Sequence, residues 1–216
     1  MRFARLPSLL LLLVSAAGLG GAEAKQTQKL HYRAEWRLFH AGDAELAYTP
    51  PGTPGRDSGQ ADLKLTTVGF VRSLAKVDNH YAVLYDGGFC AESYLFEVRE
   101  GKKERDIRVT YQRPPGKASY LERDLTKDGA VETKEIDVPL CVHDELAALA
   151  RLRAMDLEPG QVLELPVSNG KKSVSARIEV QEREQINTAS GKYDTIRCEA
   201  FLFKDVLYKR NGRMFI

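Results

Sequence analysis

Cys141-x-His143-Asp144 places a thiol, an imidazole and a carboxylate within one short stretch, the densest grouping of reactive side chains in the chain. A catalytic thiolate needs its base in contact and a third group to orient that base. Neighbouring side chains diverge at the start of a helix, so this spacing fits another pair of roles better. Cys141 would be bridged, and Asp144 would cap the helix that follows, a contribution of about 1 kcal/mol. His31, His40, His80 and His143 are scattered, with no pair at the i, i+2 or i, i+4 spacing of metal ligands. There is no Gly-x-Ser-x-Gly elbow, His-Glu-x-x-His, phosphate loop, Gly-x-Gly-x-x-Gly or Cys-x-x-Cys. No catalytic residue, metal or cofactor is therefore expected.

Three cysteines matter because the chain opens like an export signal. Arg2 and Arg5 form a charged start, residues 9–14 an apolar core too short to cross a bilayer, and Ala22-Glu23-Ala24 a small-x-small cleavage site. Residues 1–24 are expected to be a signal peptide, with residues 25–216 a single β-rich domain, periplasmic or secreted. An oxidising compartment permits a disulfide. Cys90 follows the turn Asp86-Gly87-Gly88 and Cys141 precedes the helix, both at the edges of regular elements, whereas Cys198 shares a strand face with Ile196, Ala200 and Leu202. Cys90 with Cys141 is the favoured pair; three free buried thiols are the alternative.

The elements around these residues are mostly strands. Leu30, Tyr32, Ala34, Trp36 and Leu38 alternate with polar residues as a half-buried strand does, and Ala41-Gly42-Asp43 turns the chain into a second strand through Ala44, Leu46 and Tyr48. Residues 50–59, rich in Pro and Gly, read as a loop. Period-2 runs follow at residues 61–67 and 77–85, separated by a segment at 69–75 that fits either a bulge or one helical turn. Tyr94, Phe96 and Val98 answer Ile107, Val109 and Tyr111 across a charged turn, and further hairpins are expected about Lys127-Asp128-Gly129 and Ser168-Asn169-Gly170. Leu146, Leu149, Ala150 and Arg153 keep the spacing of one helical face, which Pro159-Gly160 ends. About ten strands joined by hairpins imply a mostly β fold: a curved antiparallel sheet or open barrel with one short helix on its concave or end face. Beyond the turn signal Asn211-Gly212 few residues remain, so the C-terminal strand is expected to be truncated and residues 207–216 the least secure part.

Tyr32, Trp36, Tyr48, Tyr81, Tyr85, Tyr94, Phe96 and Tyr111 fall on strand faces expected to point one way. Such a set suits the lining of a ligand cavity, since Tyr buries its ring and keeps its hydroxyl wet, but an ordinary core accounts for it better. The full chain carries 32 Lys and Arg against 30 Asp and Glu, with the signs interspersed. That balance gives no basic surface for nucleic acid, which is not expected as a partner.

The early Gly-Asp-Ala-Glu turn at residues 42–45, the helix opening at Asp144 and leading to Leu157-x-Pro159-Gly160, and the late Gly191-x-Tyr193-Asp194-x-Ile196 resemble one family in order and spacing. It is the bacterial exported family known as domain of unknown function 3108. The resemblance covers most of residues 29–216, and the cysteines flanking the central strands look like a subgroup pattern of it. Its motifs are structural, and it implies no activity. The expected function is non-enzymatic binding of an apolar or amphipathic ligand such as lipid in the cell envelope. The alternatives are an envelope scaffold acting through protein contacts and, last, an envelope hydrolase. No transmembrane segment is expected after signal cleavage.

Overall fold

The computed structural model describes residues 26–36 and 38–216, so the leader expected over residues 1–24 lies outside the described residues. The chain runs β1 (Gln28–Trp36), β2 (Phe39–Thr49), β3 (Gly59–Thr67), α1 (Gly69–Leu74), β4 (Asp78–Tyr85), β5 (Ala91–Glu100), β6 (Lys103–Gln112), β7 (Lys117–Asp124) and β8 (Ala130–Asp137). After these come α2 (Glu145–Arg153), β9 (Val162–Ser168), β10 (Ser173–Thr188), β11 (Gly191–Ala200) and β12 (Met214–Phe215). The fold is mostly β and antiparallel, as the alternation implies, but it is built as two sheets. β1 to β8 form an eight-stranded meander in chain order, and β9 to β12 a four-stranded sheet ordered β12-β11-β10-β9. The larger sheet stays open, with β1 and β8 as its two edges.

The hairpin registers match the sequence pattern. Tyr94 sits opposite Val109 and Phe96 opposite Ile107, so the apolar set of each strand shares one face. Register shifts at Ala34/Glu35 and Leu84/Tyr85 mark bulges, which raise the local twist of a strand. Two helices stand where one was expected, because residues 69–75 resolve into the helical alternative as α1.

α2 lies between the sheets and serves both cores. Leu146, Ala147 and Ala150 join the core of the large sheet with Val83, Val109 and Tyr111, while Ala148 and Leu152 join that of the small sheet with Leu165, Ile178 and Val180. A helix buried on two sides needs small residues to let both sheets approach, and its sequence ELAALARLR supplies three alanines. Asp144 caps it, Oδ1 accepting from the amides of Leu146 at 2.7 Å and Ala147 at 3.1 Å. The helix ends at Arg153, before Pro159-Gly160 is reached.

The β9–β10 turn then plugs the large sheet. Tyr94 Oη donates to the carbonyl of Asn169 at 2.5 Å and Tyr111 Oη to that of Ser168 at 2.8 Å. Gly170 has φ +78, and a Cβ there would meet Val109 Cγ2 at 2.5 Å, so only glycine lets this turn seat against the sheet. Cys90 and Cys141 are bridged, with Cα atoms 4.9 Å apart, and Cys198 is free and buried. At the chain's end β12 pairs Met214 with Ala200 and Phe215 with Glu199, while Ile216 exchanges both backbone bonds with Cys198 at 2.9 Å.

Candidate ligand-binding face

The large sheet presents one face to α2. Of the eight aromatic residues singled out in the sequence, Tyr48, Tyr85, Tyr94 and Tyr111 are buried there under the helix and the β9–β10 turn. Tyr81 and Phe96 are half-buried against that core, and Tyr81 meets Tyr94 and Phe96 edge-on at 5.2 and 5.3 Å. Tyr32 and Trp36 are about half exposed, at 51% and 49%, and take no part in it. The eight therefore do not line one cavity: four are ordinary core, two lie at its margin and two lie outside. The reason is placement. Tyr32 pairs with Ala44 on the same face as Leu46 and Tyr48, but α2 does not reach that end of β1.

What the margin does form is a strip. Leu30 lies opposite Leu46, Leu46 opposite Leu63, Leu63 opposite Tyr81 and Tyr81 opposite Phe96, a continuous apolar row across β1 to β5. Leu30, Leu63, Tyr81 and Phe96 are only partly buried, and Tyr32 and Leu65 extend the row on its open side. On the rim beyond it, Leu38, Phe39, Phe70 and Leu74 are 96%, 64%, 68% and 64% exposed.

A polar cluster borders the strip. Glu145, the first residue of α2, accepts from Tyr81 Oη at 3.0 Å on one oxygen and from Tyr208 Oη on the other. One carboxylate thus ties together β4, α2 and the loop before β12. Burial raises its pKa, and the two phenols pull it back. Burial, and then the charge of Glu145, push Asp144 up to about 8, against which the two capping amides act. Asp144 is fully buried, and among the described residues its Oδ2 has no hydrogen-bond partner, nor does the buried Tyr48 Oη, over whose ring Arg153 stacks at 5.1 Å. Burial likewise pushes Tyr85 up to about 12 and Tyr48, Tyr81, Tyr94 and Tyr111 further, so these phenols stay neutral. Glu145 and Tyr208 were missed in the sequence; an acid beside a capping Asp reads only as a complement to the helix dipole.

Cys141, His143 and Asp144 do not act together. Cys141 is consumed by the disulfide, His143 is buried with Nδ1 2.6 Å from the carbonyl of Phe89, and Asp144 turns into the helix amides. Burial lowers the His143 pKa, holding the ring neutral. This is how the connection to α2 is fixed: the backbone of His143 also bonds that of Pro166 at 2.9 Å and Ser168 at 2.8 Å, joining the two sheets. Among the described residues no grouping of three His, Cys, Asp or Glu side chains is arranged to hold a metal ion, and no helix is long and apolar enough to cross a membrane.

These features define a class: a two-sheet antiparallel protein with a capped helix between the sheets and an apolar strip left open beside it. Residues 31–215 match the family model described as Protein of unknown function (DUF3108), and the chain belongs to that family. No curated protein and no solved structure matches it.

Proposed function

We propose that this is a non-enzymatic protein of the cell envelope whose curved sheet binds an apolar or amphipathic ligand, such as a lipid chain, along the open strip. The observation that carries the reading is the apolar row across β1 to β5, in which Leu30, Leu63, Tyr81 and Phe96 are partly exposed while Leu46 is buried between them, bordered at Tyr81 by a polar cluster. An extended hydrocarbon chain gains about 0.8 kcal/mol for each methylene it buries, and a row crossing five strands spaced about 4.8 Å apart is roughly 20 Å long. That length suits an acyl chain. The disulfide and the leader-like start of the sequence support an exported location.

The test uses the full chain, purified natively and extracted for lipid, with the unextracted protein weighed by native mass spectrometry. A bound lipid is expected. Trp36 is the single tryptophan and stands at the end of β1, so its emission should shift to the blue when a long-chain fatty acid is added. Leu65→Glu should abolish both responses without unfolding the chain. A lipid-free protein whose emission ignores the fatty acid would remove this reading.

A further inference from the structure

The face of β1 to β4 opposite the apolar strip carries a separate cavity of about 450 Å³. Its floor is the outer face of the sheet, where Lys29 lies opposite Ala47 and Glu45 opposite Lys64, which in turn lies opposite His80. Its wall is the loop of residues 50–58, which brings Thr53 and Arg56 over the strands.

The charges in this cavity are unevenly satisfied. Lys29, Arg56 and Lys64 line it, and none makes an ion pair among the described residues; Arg56 donates only to the amide oxygen of Gln60. The carboxylates are fewer, and one is occupied. Asp62 accepts from Gln60 Nε2 at 2.7 Å on one oxygen and faces His80 Nε2 at 3.3 Å with the other, which leaves Glu45 as the only uncommitted acid. Thr27 and Thr49 add hydroxyls, bonded to each other at 2.9 Å. A guanidinium and two ammoniums from a loop and two different strands surround the opening, with hydroxyl donors beside them. That is a donor set for an oxyanion: the guanidinium offers a planar fork and the ammoniums act as point charges.

We propose that this cavity is a binding site for a phosphoryl group, carried by a small phosphate ester or by a phospholipid headgroup. Arg56 and Lys64 grip the phosphoryl oxygens, Lys29 neutralises the remaining charge, and Glu45 sets an upper limit on affinity by repelling the ligand. The loop of residues 50–58 supplies Arg56, so occupancy also orders that loop against the sheet. The site is on the opposite face from the strip and does not depend on lipid binding there.

Titration calorimetry of the full chain at low salt with glycerol phosphate, and flotation with phosphatidylglycerol vesicles, test it in two arms. Each cation removed should weaken binding by roughly tenfold, the size of one charge-assisted contact. Arg56→Gln with Lys64→Gln should therefore abolish the response in whichever arm shows one, while Glu45→Gln should strengthen it severalfold. These side chains lie at the surface of the sheet, and unchanged circular dichroism confirms that the variants fold. Lys102→Gln with Lys103→Gln, at the β5–β6 hairpin end and outside the cavity lining, is the control for diffuse charge. A response to glycerol phosphate assigns a free ester, and a response to vesicles alone assigns a headgroup. Silence in both arms, or equal losses in the control variant, overturns the site.

Discussion

Two stretches of one sheet face, alike in composition, have opposite fates. Where α2 and the β9–β10 turn lie over it, Tyr48, Tyr94, Tyr111, Val83 and Val109 are buried and the tyrosine hydroxyls of Tyr94 and Tyr111 reach backbone carbonyls. Where that cover stops, Tyr32, Leu65 and Trp36 are 51%, 36% and 49% exposed. Period-2 alternation sorts side chains to a face; it does not say whether anything covers the face. In this molecule the cover is nine helical residues and one hairpin turn, held in place by the Cys90–Cys141 bridge, the Asp144 cap and Glu145. The exposed half is where the proposed ligand would lie.

The contrast is broken most severely by releasing the cover. Cys90→Ala with Cys141→Ala removes a cross-link spanning 51 residues. On the chain-entropy estimate that costs about 4 kcal/mol, and for a domain of this size the melting temperature should fall by roughly 8–16 °C. Calorimetry of the variant under oxidising conditions measures it. A melting temperature within about 2 °C of the native protein would mean that packing and capping alone hold α2 in place.

A paired substitution compares the two halves directly. Leu146→Ala, on the buried side of α2 at 6% exposure, should cost about 3 kcal/mol through lost burial and the cavity left behind. Phe70→Ser, on the open rim at 68% exposure, should change stability by less than about 0.5 kcal/mol. Urea denaturation of both variants gives the difference. Equal losses would show that the rim is packed in solution, against a second molecule or another part of the chain.

What was legible in the sequence follows the same line. Hairpin registers, the Asp144 cap and the Cys90–Cys141 pairing are local or nearly so: each rests on alternation, on a turn residue at fixed offset, or on which cysteine sits at an element's edge. The division into two sheets was not legible, since the helix between the end of β8 at Asp137 and the start of β9 at Val162 does not by itself say whether the chain returns to the same sheet or starts another. Nor was the exposure of Tyr32 and Trp36, because it is decided by how far α2 reaches. Glu145 carries the least local signal of all. Its environment comes from Tyr81, 64 residues before it, and Tyr208, 63 residues after it.

The smallest effect at acid pH, and the finest probe of the cover, is expected from Asp144→Asn. Asn caps a helix about as well as Asp, so the bonds to Leu146 and Ala147 persist. The difference is in charge. Burial holds the Asp144 pKa at about 8 in the folded chain, above its ordinary 3.8. An acid whose folded pKa is raised binds its proton more tightly in the native state, so between about pH 4 and pH 8 the native state carries a proton that the unfolded state has lost. Stability from this group is therefore greatest on the acid side, declines as pH rises through that window, and is level above it. Below about pH 4 Asp144 is neutral in both states, and the substitution exchanges one neutral group for another; as pH rises through the window the native protein must take up a proton to fold and the variant need not, so the variant gains on it steadily. At pH 9 it removes a buried charge, and the variant should there be the more stable protein. Glu145 is shifted in the same direction and keeps part of the slope, so Asp144→Asn should flatten the dependence of melting temperature on pH without abolishing it. Adding Glu145→Gln should flatten it further, at the loss of the charge that holds Tyr81 and Tyr208. Identical pH profiles for native and Asp144→Asn proteins would show that Asp144 is ionised throughout, and that solvent reaches the N-terminus of α2 through the open half of the face.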